Sequence, residues 1–101
     1  MRLSAKQRRI IREAVRDHFG EKATVRLFGS RADDSARGGD IDLLIETPSR
    51  DVTEIARAEI AFQSHLQQQL GDQKLDLLIN YPGRRTHPLI FKIAEETGVP
   101  L

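Results

Sequence analysis

The chain has 101 residues, with 16 basic and 15 acidic side chains and a net charge of +1. That length fits one domain, the near-neutral balance excludes a global field for nucleic acid, and the lack of cysteine excludes disulfides and thiolate zinc sites. No apolar run is long enough to span a membrane, and the basic N-terminus has no apolar segment of the signal-peptide kind, so a soluble, cytoplasmic protein is expected.

Residues 4–19 read as a helix. Ser4 is the N-cap, with Gln7 three positions on as capping-box partner. Leu3, Ile10, Ile11, Ala14, Val15 and Phe19 recur at helical spacing and form one apolar face. Gly20 suits the C-terminal stop. The other face carries Lys6, Arg8, Arg9, Arg12 and Arg16. A charge run of this kind is usually a solvated face, and a patch for RNA or an acidic partner is the sharper alternative.

Residues 24–28 alternate as a strand, with β-favouring Thr24, Val25 and Leu27. The strand stops at Gly29-Ser30. A short helix is expected over residues 30–36, and Gly38-Gly39 turns the chain back. Residues 41–46 form a second strand, whose apolar run Leu43-Leu44-Ile45 suits a central strand covered on both faces. Thr47-Pro48-Ser49 ends it.

Residues 51–70 form the longest helix. Asp51 or Ser49 caps it, and Val52, Ile55, Ala58, Phe62, Leu66 and Leu70 mark its buried stripe. His65 lies beside that stripe and reads as a partly exposed helix residue rather than a ligand. Gly71 stops the helix, and residues 74–79 form a third strand. Asn80-Tyr81-Pro82-Gly83 is a turn. His87-Pro88 opens a last helix with Leu89, Ile90, Ile93 and Ala94 facing inward, and Gly98 ends it. Val99, Pro100 and Leu101 make a short tail. The elements describe an α/β chain with a small mixed sheet and helices packed around it.

The chemistry concentrates between the first two strands. Asp40 and Asp42 open the second strand on one face, roughly 6.6 Å apart along it. Carboxylates at the mouth of a buried strand are costly unless paired or holding a cation. Two hard cations roughly 3.5–4 Å apart fit between such groups. Glycine at position 29 lets a ligand approach the backbone, and free N–H groups at a helix start donate to phosphate. The pattern points to a nucleoside triphosphate and its magnesium ions. The plainer alternative is that the aspartates cap strands or pair with arginines, and that Gly29-Ser30 is only a tight turn.

An internal echo supports the sharper reading. Asp42-Leu43-Leu44-Ile45 recurs as Asp76-Leu77-Leu78-Ile79. If the strands are neighbours in that register, Asp76 stands beside Asp42 at about 4.8 Å, where a third metal-site carboxylate is wanted. Arg31 could neutralise a phosphate with its planar fork, and Arg37 is a weaker candidate. Asp33 and Asp34 read as a solvated connector.

The arrangement apolar-Gly29-Ser30, nine residues, Asp40-Ile41-Asp42-Leu43 resembles the polymerase-β-like nucleotidyltransferases, and the short chain resembles their minimal type. Many relatives read Gly-Ser-Arg-Ala-Arg-Gly with a connector one residue longer. This chain reads Gly-Ser-Arg-Ala-Asp-Asp.

The resemblance implies a nucleotidyltransferase core in one domain over residues 1–101. It implies transfer of a nucleoside monophosphate, AMP from ATP, to a hydroxyl with release of pyrophosphate. Asp40, Asp42 and Asp76 would be the catalytic and metal-binding residues, holding two Mg2+ ions, and Gly29, Ser30 and Arg31 would bind the nucleotide. Relatives of this kind are often encoded beside a helical HEPN protein, for which they act as antitoxin. Three readings stay open: an antitoxin acting on a HEPN partner, an enzyme with a small-molecule or RNA acceptor, and a binding module that neutralises its partner without catalysis. So short a chain leaves little for an acceptor domain, so a partner or a second copy is expected to complete the site.

Overall fold

The computed structural model describes residues 3–32, 40–71 and 73–101 of the chain. The elements run α1 (Ala5–Phe19), β1 (Thr24–Phe28), a 3-10 turn (Gly29–Arg31), β2 (Ile41–Glu46), α2 (Val52–Leu70), β3 (Leu75–Asn80), α3 (Leu89–Thr97) and β4 (Val99–Pro100). The strands make one mixed sheet in the order β3-β2-β1-β4. β1 runs antiparallel to β2 and to β4, and β2 runs parallel to β3. The parallel pair requires a crossover, which α2 supplies.

Alternation in the strands divides the core into two layers. Val25 and Leu27 of β1, Ile41, Leu43 and Ile45 of β2, and Ile79 of β3 bury against α1 and α2. Those helices contribute Ile11, Ala14, Val15, Phe19, Ile55, Phe62 and Leu66. The rings of Phe19 and Phe62 meet edge-on, 5.6 Å between centroids, an arrangement favoured by their quadrupoles. On the opposite face, Phe28 and Leu44 pack with Phe91 and Ala94 of α3 and with half-buried Leu78. β2 is thus covered on both sides, which accounts for its continuous apolar run.

The helix ends follow the sequence signals. Ser4 and Gln7 form the capping box, with both bonds at 3.0 Å. Asp51, rather than Ser49, caps α2 by accepting the Glu54 N–H at 3.1 Å. Gly20 and Gly71 close α1 and α2, each returning its N–H to the carbonyl four residues back, on Arg16 and Gln67.

Two expected stripes are corrected. Val52 is 58% exposed, because it lies in the first turn of α2, and the buried stripe begins at Ile55. In α3, Leu89 (70%), Ile90 (41%) and Ile93 (43%) face solvent, and Phe91 and Ala94 face inward. The reason is the narrow strip beneath α3. Phe91 and Ala94 pack on Phe28, Leu44 and Leu78, and Gly98 lies close against β1. A β-carbon on Gly98 would overlap the Ala94 carbonyl oxygen and stand 3.1 Å from Arg26 Cβ. That close approach leaves no room for a second buried row.

The tail is also corrected. Val99 pairs with Leu27 and Pro100 with Arg26, so the last residues form an edge strand. The rest of the helix expected over residues 30–36, the Gly38-Gly39 turn, Asp33, Asp34 and Arg37 lie outside the described residues.

Candidate active site

Three chain segments end at the same place on the α3 face of the sheet. β1 finishes at Phe28, and the backbone turns at Gly29. β2 starts immediately after Asp40. β3 starts with Leu75-Asp76. The ladder registers Phe28 with Asp42 and Asp42 with Asp76, so the end of β1 and the carboxylates of β2 and β3 stand side by side. The sequence echo therefore reports a real register, with Leu43, Leu44 and Ile45 opposite Leu77, Leu78 and Ile79.

The echo extends one step further than the matching letters. Ile41 pairs with Leu75, so the preceding residues, Asp40 and Lys74, are neighbours as well. Lys74 Nζ lies 3.6 Å from an Asp40 carboxylate oxygen. Sequence reasoning passed over Lys74, although the same register would have found it. Its side chain is 72% exposed and that of Asp40 is 41% exposed, so the pair contributes little stability and leaves Asp40 open to a ligand.

Gly29 has φ of +72°, a conformation that L residues adopt only at a cost. It also lies directly against Asp42. A β-carbon there would overlap Asp42 Oδ2 and stand 3.0 Å from Asp42 Cγ. The residue is thus fixed twice over, by its backbone angle and by the carboxylate beside it. The 3-10 turn that follows is closed by the Ala32 N–H donating to the Gly29 carbonyl at 3.2 Å. The Arg31 guanidinium donates to Gln73 Oε1 at 3.1 Å, which places it on the β3 side of the site. The Ser30 side chain lies outside what the structure describes.

The electrostatics mark Asp42 as the centre. Burial pushes its carboxyl up from 3.8 to about 6, and the Asp76 charge, a hydrogen bond with Asp76 and the Asp40 charge add to the rise, while Lys74 pulls it back. Three carboxylates in mutual repulsion are stabilised by a divalent cation. The donors are all oxygen, as a hard ion such as Mg2+ requires. Among the described residues no three carboxylate or imidazole groups form a ready-made chelate. Asp40, Asp42 and Asp76 thus stand at one end of the sheet without enclosing an ion site of their own.

A concavity of about 600 Å3 lies elsewhere, between α1 and the start of β1, lined by Arg9, Arg12, Arg16 and Leu101. A second, of about 410 Å3, lies at the far ends of β2 and β3 beside Glu46, Asn80 and Arg84. Neither includes the carboxylates. Among the described residues no helix is long and apolar enough to cross a membrane.

The family model of the nucleotidyltransferase domain matches residues 8–99. A search of curated proteins finds no match to the chain. The matched span runs from the second turn of α1 to β4 and takes in all three carboxylates and the Gly29 turn, so the chain belongs to the nucleotidyltransferase domain family, within the polymerase-β-like superfamily.

Proposed function

We propose that the protein is a magnesium-dependent minimal nucleotidyltransferase that moves AMP from ATP to a hydroxyl on another molecule. The observation that carries this reading is the alignment of Asp42 with Asp76 across the parallel pair, with Asp40 and Gly29 at the same end. Asp40, Asp42 and Asp76 would hold the metal. Bound magnesium would polarise the transferring phosphoryl group, lower the pKa of the acceptor hydroxyl and stabilise the departing pyrophosphate. Gly29 leaves the backbone open to the triphosphate, and the turn it begins presents N–H groups to the phosphates. Arg31 adds a positive charge on the β3 side. Asp76, the most exposed of the three, is placed to take the proton of the acceptor hydroxyl.

The acceptor in this proposal is a helical protein of HEPN type, for which this chain serves as antitoxin. Support comes from the resemblance to the minimal nucleotidyltransferases, and among the described residues no segment forms an acceptor domain. A non-catalytic binding module is the second reading. The solvent-facing Leu89, Ile90 and Ile93 favour it, since such a row can hold a partner without chemistry.

Titration calorimetry separates the two. ATP should bind weakly alone and at least about tenfold more tightly once Mg2+ offsets the carboxylate repulsion. Equal affinity with and without the metal would remove the metal assignment. Co-expression with a neighbouring helical protein, followed by intact-mass measurement, should show added AMP. A stable complex with no added mass would favour the binding module.

A further inference from the structure

Among the described strands β3 lies at one edge of the sheet, and that edge runs directly past Asp76. Its hydrogen-bonding direction follows from the ladder with β2. The Ile41 N–H donates to the Lys74 carbonyl and the Thr47 N–H to the Asn80 carbonyl, both at 3.0 Å. Alternate residues of a paired strand turn their backbone groups to opposite sides. Lys74, Asp76, Leu78 and Asn80 therefore face β2, and Leu75, Leu77 and Ile79 turn their N–H and C=O groups outward. Such a row is a template for another strand.

Only part of that row is open. The Ile79 carbonyl accepts Arg84 Nη1 at 3.3 Å. Arg84 is itself held by its Nε bond to the Thr86 carbonyl, at 2.9 Å, and by its stacking over the Phe91 ring, 4.6 Å from the centroid. The far end of the edge is thereby closed. Among the described residues, the outward groups of Leu75 and Leu77 have no backbone partner. These two residues flank Asp76, so the open stretch is centred on the exposed site carboxylate.

The geometry points to an extended polypeptide segment as the acceptor, added as a short strand on Leu75–Leu77, with its hydroxyl-bearing residue opposite Asp76. This rests on the nucleotidyl-transfer reading and names its acceptor class. A second copy pairing along the whole of β3 would have to displace Arg84, and a segment of a few residues would not.

In an added strand, the residue opposite Asp76 puts its side chain on the same face as Asp76, with backbones about 4.8 Å apart. A serine, threonine or tyrosine there reaches the carboxylates. Its two neighbours point to the other face and lie against half-buried Leu75 and Leu77, which favours apolar flanking residues. Asp40, Asp42 and Asp76 disfavour acidic residues beside the hydroxyl and favour basic ones. In the transfer, the hydroxyl oxygen bonds to the α-phosphorus of the nucleoside triphosphate. The bond from that phosphorus to the bridging oxygen breaks, pyrophosphate leaves, and the hydroxyl proton passes to the Asp76 carboxylate.

The probe is a capped pentapeptide, Lys-Val-Tyr-Val-Lys, with a twin N-methylated on its three central residues. The twin keeps the hydroxyl and the charges but cannot donate to a strand edge. With the full chain, Mg2+ and ATP, the parent should gain an AMP mass at least about tenfold faster than the twin, as loss of one or two backbone hydrogen bonds implies. The Leu75 and Leu77 amides should exchange more slowly when the parent binds. Equal labelling of both peptides, or labelling without slower exchange, would overturn the edge. ATP binding with neither peptide labelled would overturn this acceptor class and leave the nucleotide reading standing. No ATP binding would overturn both.

Discussion

Gly29→Ala is the sharpest probe of how the fold builds the site. The substitution adds one carbon at an exposed position, where such a change normally costs almost nothing. Here two costs arise. The φ of +72° penalises any β-carbon by about 1–2 kcal/mol. The new carbon also overlaps Asp42 Oδ2, so the carboxylate must swing off its preferred rotamer, at about 0.5–1.5 kcal/mol. The expected loss is about 2–3 kcal/mol in urea unfolding, with a matching loss of magnesium-dependent ATP binding as Asp42 is displaced. A double-mutant cycle with Asp42→Ala isolates the second cost. Asp42 Cβ stands 3.4 Å from the added carbon, an ordinary contact, so removing the carboxylate removes the overlap. The cycle should give a coupling of about 1 kcal/mol. Strict additivity would refute the account in which Gly29 is required by Asp42, and leave backbone angle as the whole cause.

The metal-free protein should become more stable when Asp42 is replaced by asparagine. Its folded carboxyl sits near 6 against an ordinary 3.8, so the fold disfavours the ionised form and stability falls as the pH rises from about 4 through 6. Asp42→Asn should flatten that slope and gain about 1 kcal/mol at pH 7, a figure reduced for solvent screening, and chemical denaturation at pH 4 and pH 7 would read it; a slope unchanged by the substitution would remove Asp42 as its source. Asp76→Asn should fold normally but transfer nucleotide at least about a hundredfold more slowly, because a ligand and a proton acceptor are lost together; a wild-type rate would remove β3 from the site. Phe62→Ala should cost about 3–5 kcal/mol, since the ring is fully buried between the two long helices; a loss under 1 kcal/mol would mean the helices close over the gap.

Much of this was legible in the residues because local signals and burial agreed. The capping box at Ser4, the glycine stops and the apolar strand runs each specify a short stretch independently, and α1, β1, β2, α2 and β3 formed within a residue of their expected bounds. The Asp42–Asp76 register was legible for a different reason: a repeated apolar pattern pairs best in phase with itself. The misreadings came from quantities that no single stretch contains. Leu89, Ile90 and Ile93 have the composition of an inward face, yet the area beneath α3 is set by β1, β2 and β3 together. Val99-Pro100 lacks a strand's length, and pairs only because the close approach at Gly98 delivers it to β1. The His18–His65 contact, 3.0 Å between ring nitrogens, joins two helices whose relative rotation the sequence does not encode locally.

The parallel pairing of β2 with β3 has a consequence for the order of folding. β1 and β2 can meet early, as strands close in sequence, but β3 joins them only after the whole of α2 has been laid across the sheet. Contacts of this range are the slow ones to form. The docking that brings Asp76 beside Asp42 also brings two negative charges together, so this contact opposes the step that creates it. Refolding should therefore run faster where that charge is absent or balanced, in mild acid or with divalent ions present, and a chain halted before β3 docks holds neither the pair of carboxylates nor an edge beside them.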